Sequence, residues 1–364
     1  MTLILTVILV ALIFEYINGF HDTANSIATV VWTKVLSPRQ AVLLAAVANL
    51  IGALYGTAVA RTVASGLVDV KVVTSEILIC ALLGAIVWNL ITWWFGMPSS
   101  SSHALIGGLC GGALAAASNN WAVIIWSQPA ADHWYKGKGL LWKVLVPMVT
   151  SPLIGLMLGF AVMALLYLTL VKMRPTRVNA LFGKLQLLSA AGMGFMHGTN
   201  DAQKTMGIIA LALVAGTQAG DFAHAPSWLA FLRTEEPPKG TPMEIAVWIK
   251  VVCALTMAAG TAAGGWRIIK TLGHKMVRLH PTNGFAAETS SAAVIWMATH
   301  LGIPVSTTHN ISAAIMGVGA AKNLKAVKWS VVERMIWAWV LTIPISGGIA
   351  YLLVVGLRFF GAIH

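Results

Sequence analysis

The sequence predicts an all-α polytopic membrane protein made of two inverted-topology repeats, with broken or re-entrant helices at its polar motifs. Three observations carry that prediction. Of 364 residues, 58% are hydrophobic and only 10% charged, whereas soluble domains carry roughly a quarter charged residues. Apolar runs of about 20 residues, enough to cross a bilayer as helices, recur throughout, and the short alternating segments of a β-barrel do not. Finally, two polar motifs return in the same order in each half of the chain.

The elements follow in order. The first hydrophobic segment, roughly 2–33, begins "MTLILTVILVALIFEYING", which lacks a basic n-region and a small-residue cleavage site. It is therefore expected to be retained as a helix and not cleaved as a signal peptide. Its interruption is "GFHDTANSIA" at 19–28. Segments at 40–60, 74–95, 99–117 and 141–171 complete a first repeat, residues 1–171. A basic linker, 172–184, leads to the second repeat, 185–364, with segments at 186–215, 244–265, 284–301, 304–320 and 331–357. That makes about ten hydrophobic segments.

The repeat is read from the motifs. "GFHDTANSIA" aligns with "GTNDAQKTMG" at 198–207, pairing Asp22 with Asp201 and Ser26 with Thr205. "GMPSSSSHALIG" at 96–107 aligns with "GIPVSTTHNISA" at 302–313, pairing Pro98 with Pro304 and His103 with His309. The motifs start 77 residues apart in the first half and 104 in the second, and the polar segment 216–243 accounts for the excess of 27. It is expected to be an extramembrane loop. Five spanning segments per half is an odd number, so the halves would cross the membrane in opposite senses.

Charge fixes the expected orientation. The stretches 172–184, 265–283 and 320–334 fall on one side and each carries four Lys or Arg, with Glu333 the only acid among them. The loop 216–243, with Asp221, Glu235 and Glu236 against Arg233 and Lys239, falls on the other, as do Lys136, Lys138 and Lys143. The positive-inside rule makes the basic set cytoplasmic and both termini external. The same distribution explains the net charge of +12 without a nucleic-acid partner. Cys80, Cys110 and Cys253 all lie in apolar stretches without metal-ligand spacing, as small packing residues do.

The chemistry lies in the motifs. Of twelve acids, only Glu15, Asp22, Asp201 and Glu288 lie beyond the first turn of a hydrophobic segment, the others sitting in or beside loops. A charge near the bilayer centre costs at least about 2.5–3.5 kcal/mol on insertion scales, so such residues are usually functional. Glu15 is open to a second reading, as a residue that reaches the interface. On helices, Asp22 shares a face with Asn25 and Ser26, and Asp201 with Lys204 and Thr205. Gly19 and Gly198 would let each helix break just ahead of the aspartate, which a membrane tolerates only where freed backbone lines a cavity. In the second motif, the runs Ser100, Ser101, Ser102 and Ser306, Thr307, Thr308 follow proline and open Gly/Ala-rich helices. They serve either as ordinary N-caps or as a cage of hydroxyls and amides for a tetrahedral oxyanion.

Burying a divalent oxyanion demands compensation. The one fixed cation, Lys204, stands against Asp22, Asp201 and Glu288, so the inventory points to cation-coupled symport. The anion is assigned to the two hydroxyl runs with Gln203, Lys204 and Thr205. The coupling cation, a proton or a sodium ion, is assigned to Asp22, Asn25, Ser26, Asn200, Asp201 and Glu288. His103 and His309, which follow the hydroxyl runs, are candidates for proton or anion handling, and equally for structural donors. Apart from sodium at Asp22 and Asp201, no metal or cofactor is expected. Partners are the anion, the coupling cation and the lipid bilayer, with a homodimer left open.

"GFHDTANSIATVV", "HGTNDAQKTMGIIAL", "GMPSSSSHALIGG" and "GIPVSTTHNISAAIMGVG" resemble the signatures of the Pit-type inorganic phosphate transporters, over nearly the whole chain. The resemblance implies phosphate uptake coupled to protons or sodium across a bacterial cytoplasmic membrane, by alternating access, with Asp22 and Asp201 as the family's aspartates. It also implies a transport role for Glu288. The first-half counterpart of Glu288, a glutamate in animal members, would be Asn49 in "ANLIGALYG", a departure from a two-glutamate scheme. Rival readings are a sulfate or metal–phosphate carrier, a passive anion channel and, from another class, an intramembrane aspartyl protease.

Overall fold

The computed structural model describes residues 1–128, 137–223, 225–235 and 243–361, leaving aside the side chain of Ser65. Lys136, Glu236, Lys239 and part of the 216–243 segment lie outside the described residues. Among those described there are twelve α-helices.

The helices fall into two matching series. In the first half they are α1 (Thr2–Trp32), α2 (Pro38–Ala53), α3 (Ala58–Ser65), α4 (Ser75–Trp94), α5 (Ser101–Ala116) and α6 (Val146–Leu170). In the second they are α7 (Pro175–Gln218), α8 (Val247–Ala263), α9 (Trp266–Lys270), α10 (Pro281–His300), α11 (Thr307–Lys322) and α12 (Trp329–Phe359). Local sequence explains many of the ends. Pro38 opens α2 behind a Ser37–Gln40 capping box, and Pro175 opens α7, in the position where a missing N–H costs nothing.

Contacts along the helices give the path. The Met1 amino group lies 3.8 Å from Asp221, just past the end of α7, while Thr33, just past α1, donates to Gln186 near the start of α7 at 2.8 Å. The equivalent helices α1 and α7 therefore run antiparallel. In α4 and α5, Ala81 faces Gly108 and Ile77 faces Gly112, so this pair is a hairpin that returns to the end from which it set out. The α10–α11 pair repeats it from the opposite end. Both turns use a glycine of positive φ, Gly96 at +62° and Gly302 at +61°, a conformation that costs a residue with a Cβ.

α1, α4, α6 and α12 are each long and apolar enough to cross a bilayer, as are the bent pairs α2–α3 and α8–α9. α7 crosses beside α1. α4, whose Thr92 meets His21 midway along α1, turns back as half of a hairpin, which leaves six crossings. The pairs bend by 70° and 59°. The two hairpins re-enter, so the ten segments do not all span, yet three crossings per half preserve an inverted arrangement. The turns at 33–37, 171–174 and 322–328 lie at one end of the molecule, here the basic end. Both termini lie at the other, the terminal end. Of the basic stretch 172–184, residues 175–184 are the first turns of α7. The outer faces suit lipid: Met157 and Leu168 of α6 are 67% and 76% exposed, and Leu352 of α12 is 68% exposed.

One expectation is overturned. The glycines Gly19 and Gly198 do not break their helices, for α1 and α7 run through both motifs. A side chain at either glycine would strike the backbone of a neighbouring helix, α8 at Met257–Thr261 and α2 at Asn49. Close helix packing is thus their role. The backbone breaks fall instead inside the bent pairs and at the hairpin turns.

Candidate functional site

Two apolar cores leave a polar band between them. The core at the terminal end takes α1 up to Ile17 and α7 from Ala202 onward. The core at the basic end takes α1 from Ala24 and α7 up to Met193. The residues between are the first motifs, and the hairpin turns bring the second motifs to the same level. Asp22, Asp201 and Lys204 are at most 3% exposed, as are Ser100–Ser102 and Ser306–Thr308. The site is therefore sealed from both ends.

The carboxylates define its centre. One atom each of Asp22, His197 and Asp201 lie within 4.8 Å of one another, close enough to share one cation. His21 Nδ1 donates to Asp22 Oδ1 at 2.6 Å. His197 Nε2 lies 3.1 Å from Asp201 Oδ2, and its Nδ1 3.1 Å from Asn49 Oδ1. Lys204 donates to Asp201, to Ser102 and to the Val305 carbonyl, which ties α7 to both hairpins. Asn25 sits at the repeat position of Lys204 and donates to Thr307 and Thr308 at 3.1 and 2.9 Å. The matching contacts, Lys204 with Ser102 and Asn25 with Thr308, differ only in charge. One half therefore carries a fixed cation that the other lacks.

The hairpins supply hydroxyls. Ser100 accepts from the His103 N–H and Ser306 from the His309 N–H, both at 3.1 Å, so these two are N-caps. The residues after them face the carboxylates: Thr307 donates to Asp201 at 2.8 Å and Thr308 to Asp22 at 3.3 Å. The two helix N-termini meet, with the His103 and His309 rings 4.8 Å apart and His309 stacked on Trp339 at 4.2 Å. Among the described residues, Ser26 Oγ, Ser101 Oγ, His103 Nδ1, both ring nitrogens of His309 and the Asn310 amide have no hydrogen-bond partner. Buried polar atoms are nearly always satisfied, so those at the two hairpin helix N-termini leave hydrogen-bonding capacity for a polar solute, while Asn310 lies against Gly155 of α6.

Other assigned residues lie apart. Gln203 accepts from the Val59 and Ala60 N–H groups at 2.8 and 3.3 Å and donates to the Tyr55 and Thr199 carbonyls. It caps α3 across the α2–α3 bend. Thr205 turns from the site and donates to Glu15. Asn200 donates to Thr299 at 2.9 Å and to the Ile303 carbonyl at 3.3 Å, bracing the second hairpin. Glu288 lies toward the basic end, where Thr29, Ser189 and Gln186 donate to it. Because α4 and α10 match at an offset of 206 residues, its repeat mate is Leu82, a core residue, and not Asn49. Asn49 is on α2 and donates to Thr261 at 2.9 Å. His197, unassigned from sequence, enters the carboxylate cluster because it is one turn before Asp201. Its place opposite Asn18 in the repeat was the available signal.

The chain is similar to known proteins over most of its length. The family model described as "Phosphate transporter family" matches residues 18–350. A Bacillus subtilis protein described as "Probable low-affinity inorganic phosphate transporter" is 43% identical over 356 residues, covering 96% of this chain and 97% of its own. A Rhizobium meliloti protein of the same description is 42% identical, covering 96% and 95%. One from Mycobacterium tuberculosis is also 42% identical, covering 100% of this chain and 78% of its own. Among solved structures, "The sodium-dependent phosphate transporter" shares the fold with a TM-score of 0.81 at 23% identity, covering 99% of this chain and 100% of that one.

Proposed function

The chain belongs to the phosphate transporter family, and we propose that it imports inorganic phosphate by symport with a cation, alternating access about the sealed site. The observation that carries this reading is the meeting of two hydroxyl-lined helix N-termini beside Asp22, Asp201 and Lys204. Phosphate fits between α5 and α11, where N–H groups, the positive ends of two helix dipoles and the side chains of Ser101, Ser102, Thr307 and Thr308 converge. Ser100 and Ser306 hold the helix ends. His103 and His309 stand alongside as donors.

Charge requires a co-substrate. Near the site, Lys204 is the one fixed cation against Asp22 and Asp201, with Glu15 and Glu288 flanking them. Bringing in a divalent anion without cations is prohibitive. Asp22 and Asp201, with the oxygens of Asn25 and Ser26, form a set of hard donors suited to sodium, and His197 offers a proton alternative at the same place. The like-folded solved protein is named as sodium-dependent. Alternating access follows if the hairpins, which enter from opposite ends, part from the centre in turn. The bends at α2–α3 and α8–α9 supply backbone breaks in corresponding places of the two halves. A protease dyad needs two carboxylates sharing one proton, whereas Lys204 already neutralises Asp201.

The basic end carries Lys34, Lys172, Arg174, Lys275, Arg278, Lys322, Lys325 and Lys328. The positive-inside rule supports a cytoplasmic basic end and external termini, in the bacterial inner membrane. Radiolabelled phosphate uptake into proteoliposomes tests the function, under an imposed proton or sodium gradient and with excess sulfate as competitor. Uptake driven by one gradient and indifferent to sulfate is expected. Uptake unaffected by either gradient, or abolished by sulfate, would overturn it.

A further inference from the structure

Glu15 belongs to neither hydroxyl run nor the carboxylate cluster. It is fully buried on α1, between the aspartates and the terminal end. Thr205 of α7 donates to Oε2, Asn18 one turn along α1 also donates to the carboxyl, and Oε1 itself has no close partner among the described residues. The ionisable groups that act on it are Asp201 and Lys204 of α7 and Cys253 of α8. α4 adds Leu78, Leu82 and Ala85 to the same apolar core. Glu288 makes an instructive contrast: three side chains donate to its two oxygens. A carboxylate with donors on both oxygens can stay ionised, whereas one with an oxygen left bare cannot do so at low cost. Burying an uncompensated charge costs far more than leaving a neutral polar group unsatisfied.

We propose that Glu15 is the proton-carrying residue of this transporter, protonated while phosphate is aboard and ionised once phosphate has left. The inference rests on the symport reading above and names the group that couples. Its partner Thr205 is adjacent in sequence to Lys204, so an opening that hydrates the Lys204–Asp201 pair also hydrates this carboxyl. From the external side an O–H bond forms on Glu15 as a proton is taken from water. From the cytoplasmic side that bond breaks and the proton passes to water, leaving the carboxylate to be reprotonated on return. A bound phosphate adds negative charge near Glu15 and favours its protonated form, whereas in the empty site the Lys204 charge acts on the carboxylate and offsets it. Proton and phosphate therefore cross together, and the carrier returns without either. That linkage is what makes the two fluxes obligatory partners.

The test compares wild type, Glu15→Gln and Glu15→Asp in proteoliposomes by two readouts. One is net phosphate accumulation under an inward gradient of one pH unit, which supports about tenfold accumulation per coupled proton. The other is phosphate–phosphate exchange at equal pH, which moves no net protons. Wild type performs both, and Glu15→Gln is expected to keep exchange within about twofold while its gradient-driven accumulation falls to unity. Glu15→Asp is expected to restore part of the accumulation. Accumulation by Glu15→Gln equal to wild type would overturn the assignment, as would loss of exchange in both variants when each still elutes as a folded protein. Wild-type accumulation driven by sodium and indifferent to pH would overturn the proton role while leaving phosphate symport intact. Wild type that moves no phosphate in either readout would instead fail the symport reading itself.

Discussion

Replacing Lys204 by methionine keeps the length of the side chain and removes its charge. In the folded protein Lys204 meets Asp201, Ser102 and the Val305 carbonyl, and is 3% exposed. Breaking a buried pair by removing one partner costs about 3–5 kcal/mol, because the other charge is left uncompensated. For a chain of 364 residues that corresponds to a fall in Tm of about 4–7 °C. Thermal unfolding of the detergent-purified protein reads this directly. The decisive comparison is the double substitution Lys204→Met with Asp201→Asn, which removes both charges. It is expected to recover about half or more of the lost stability, since contacting charges couple strongly, and to remain inactive in uptake. A Lys204→Met protein as stable as wild type would refute the ion pair. So would a double variant whose losses simply add.

Three further outcomes are expected. Asp22→Asn should abolish phosphate uptake while the protein still inserts and elutes as folded; wild-type rates in that variant would remove Asp22 from the site. Ser100→Ala should lower stability by about 1 kcal/mol, the usual worth of an N-cap, whereas Ser101→Ala, whose hydroxyl has no protein partner, should raise the KM for phosphate with little change in Tm. Equal stability losses in the two would contradict their different roles. Single cysteines at Lys172 and Arg358 should label from opposite faces of intact cells, Arg358 from outside, over a low background because Cys80, Cys110 and Cys253 are buried. Labelling from the same face would break the inverted topology.

The sequence by itself determined the class and the repeat, and it named most of the residues from which the proposed site is built. Composition requires a bilayer, and two ordered motif pairs require two halves. Two aspartates, a lysine and two hydroxyl runs are the materials of the proposed anion and cation sites. These features are legible because each is local: an i, i+3, i+4 face, a proline followed by caps, a matched offset. Tertiary structure decided what depends on neighbours. Gly19 and Gly198 look like helix breakers, and only the approach of α8 and α2 reveals them as contact points. Gln203 shares its motif with Asp201 and Lys204, yet its direction around α7 turns it to the start of α3. Asn49 resembles a mate for Glu288, but pairing follows helix order, and α4 sets Leu82 there. Glu15 has no motif, and its burial with one oxygen left bare exists only once α1, α7 and α8 are packed. A side chain's chemistry is written in the chain, but its desolvation and its partners are properties of the fold, because they depend on atoms hundreds of residues away.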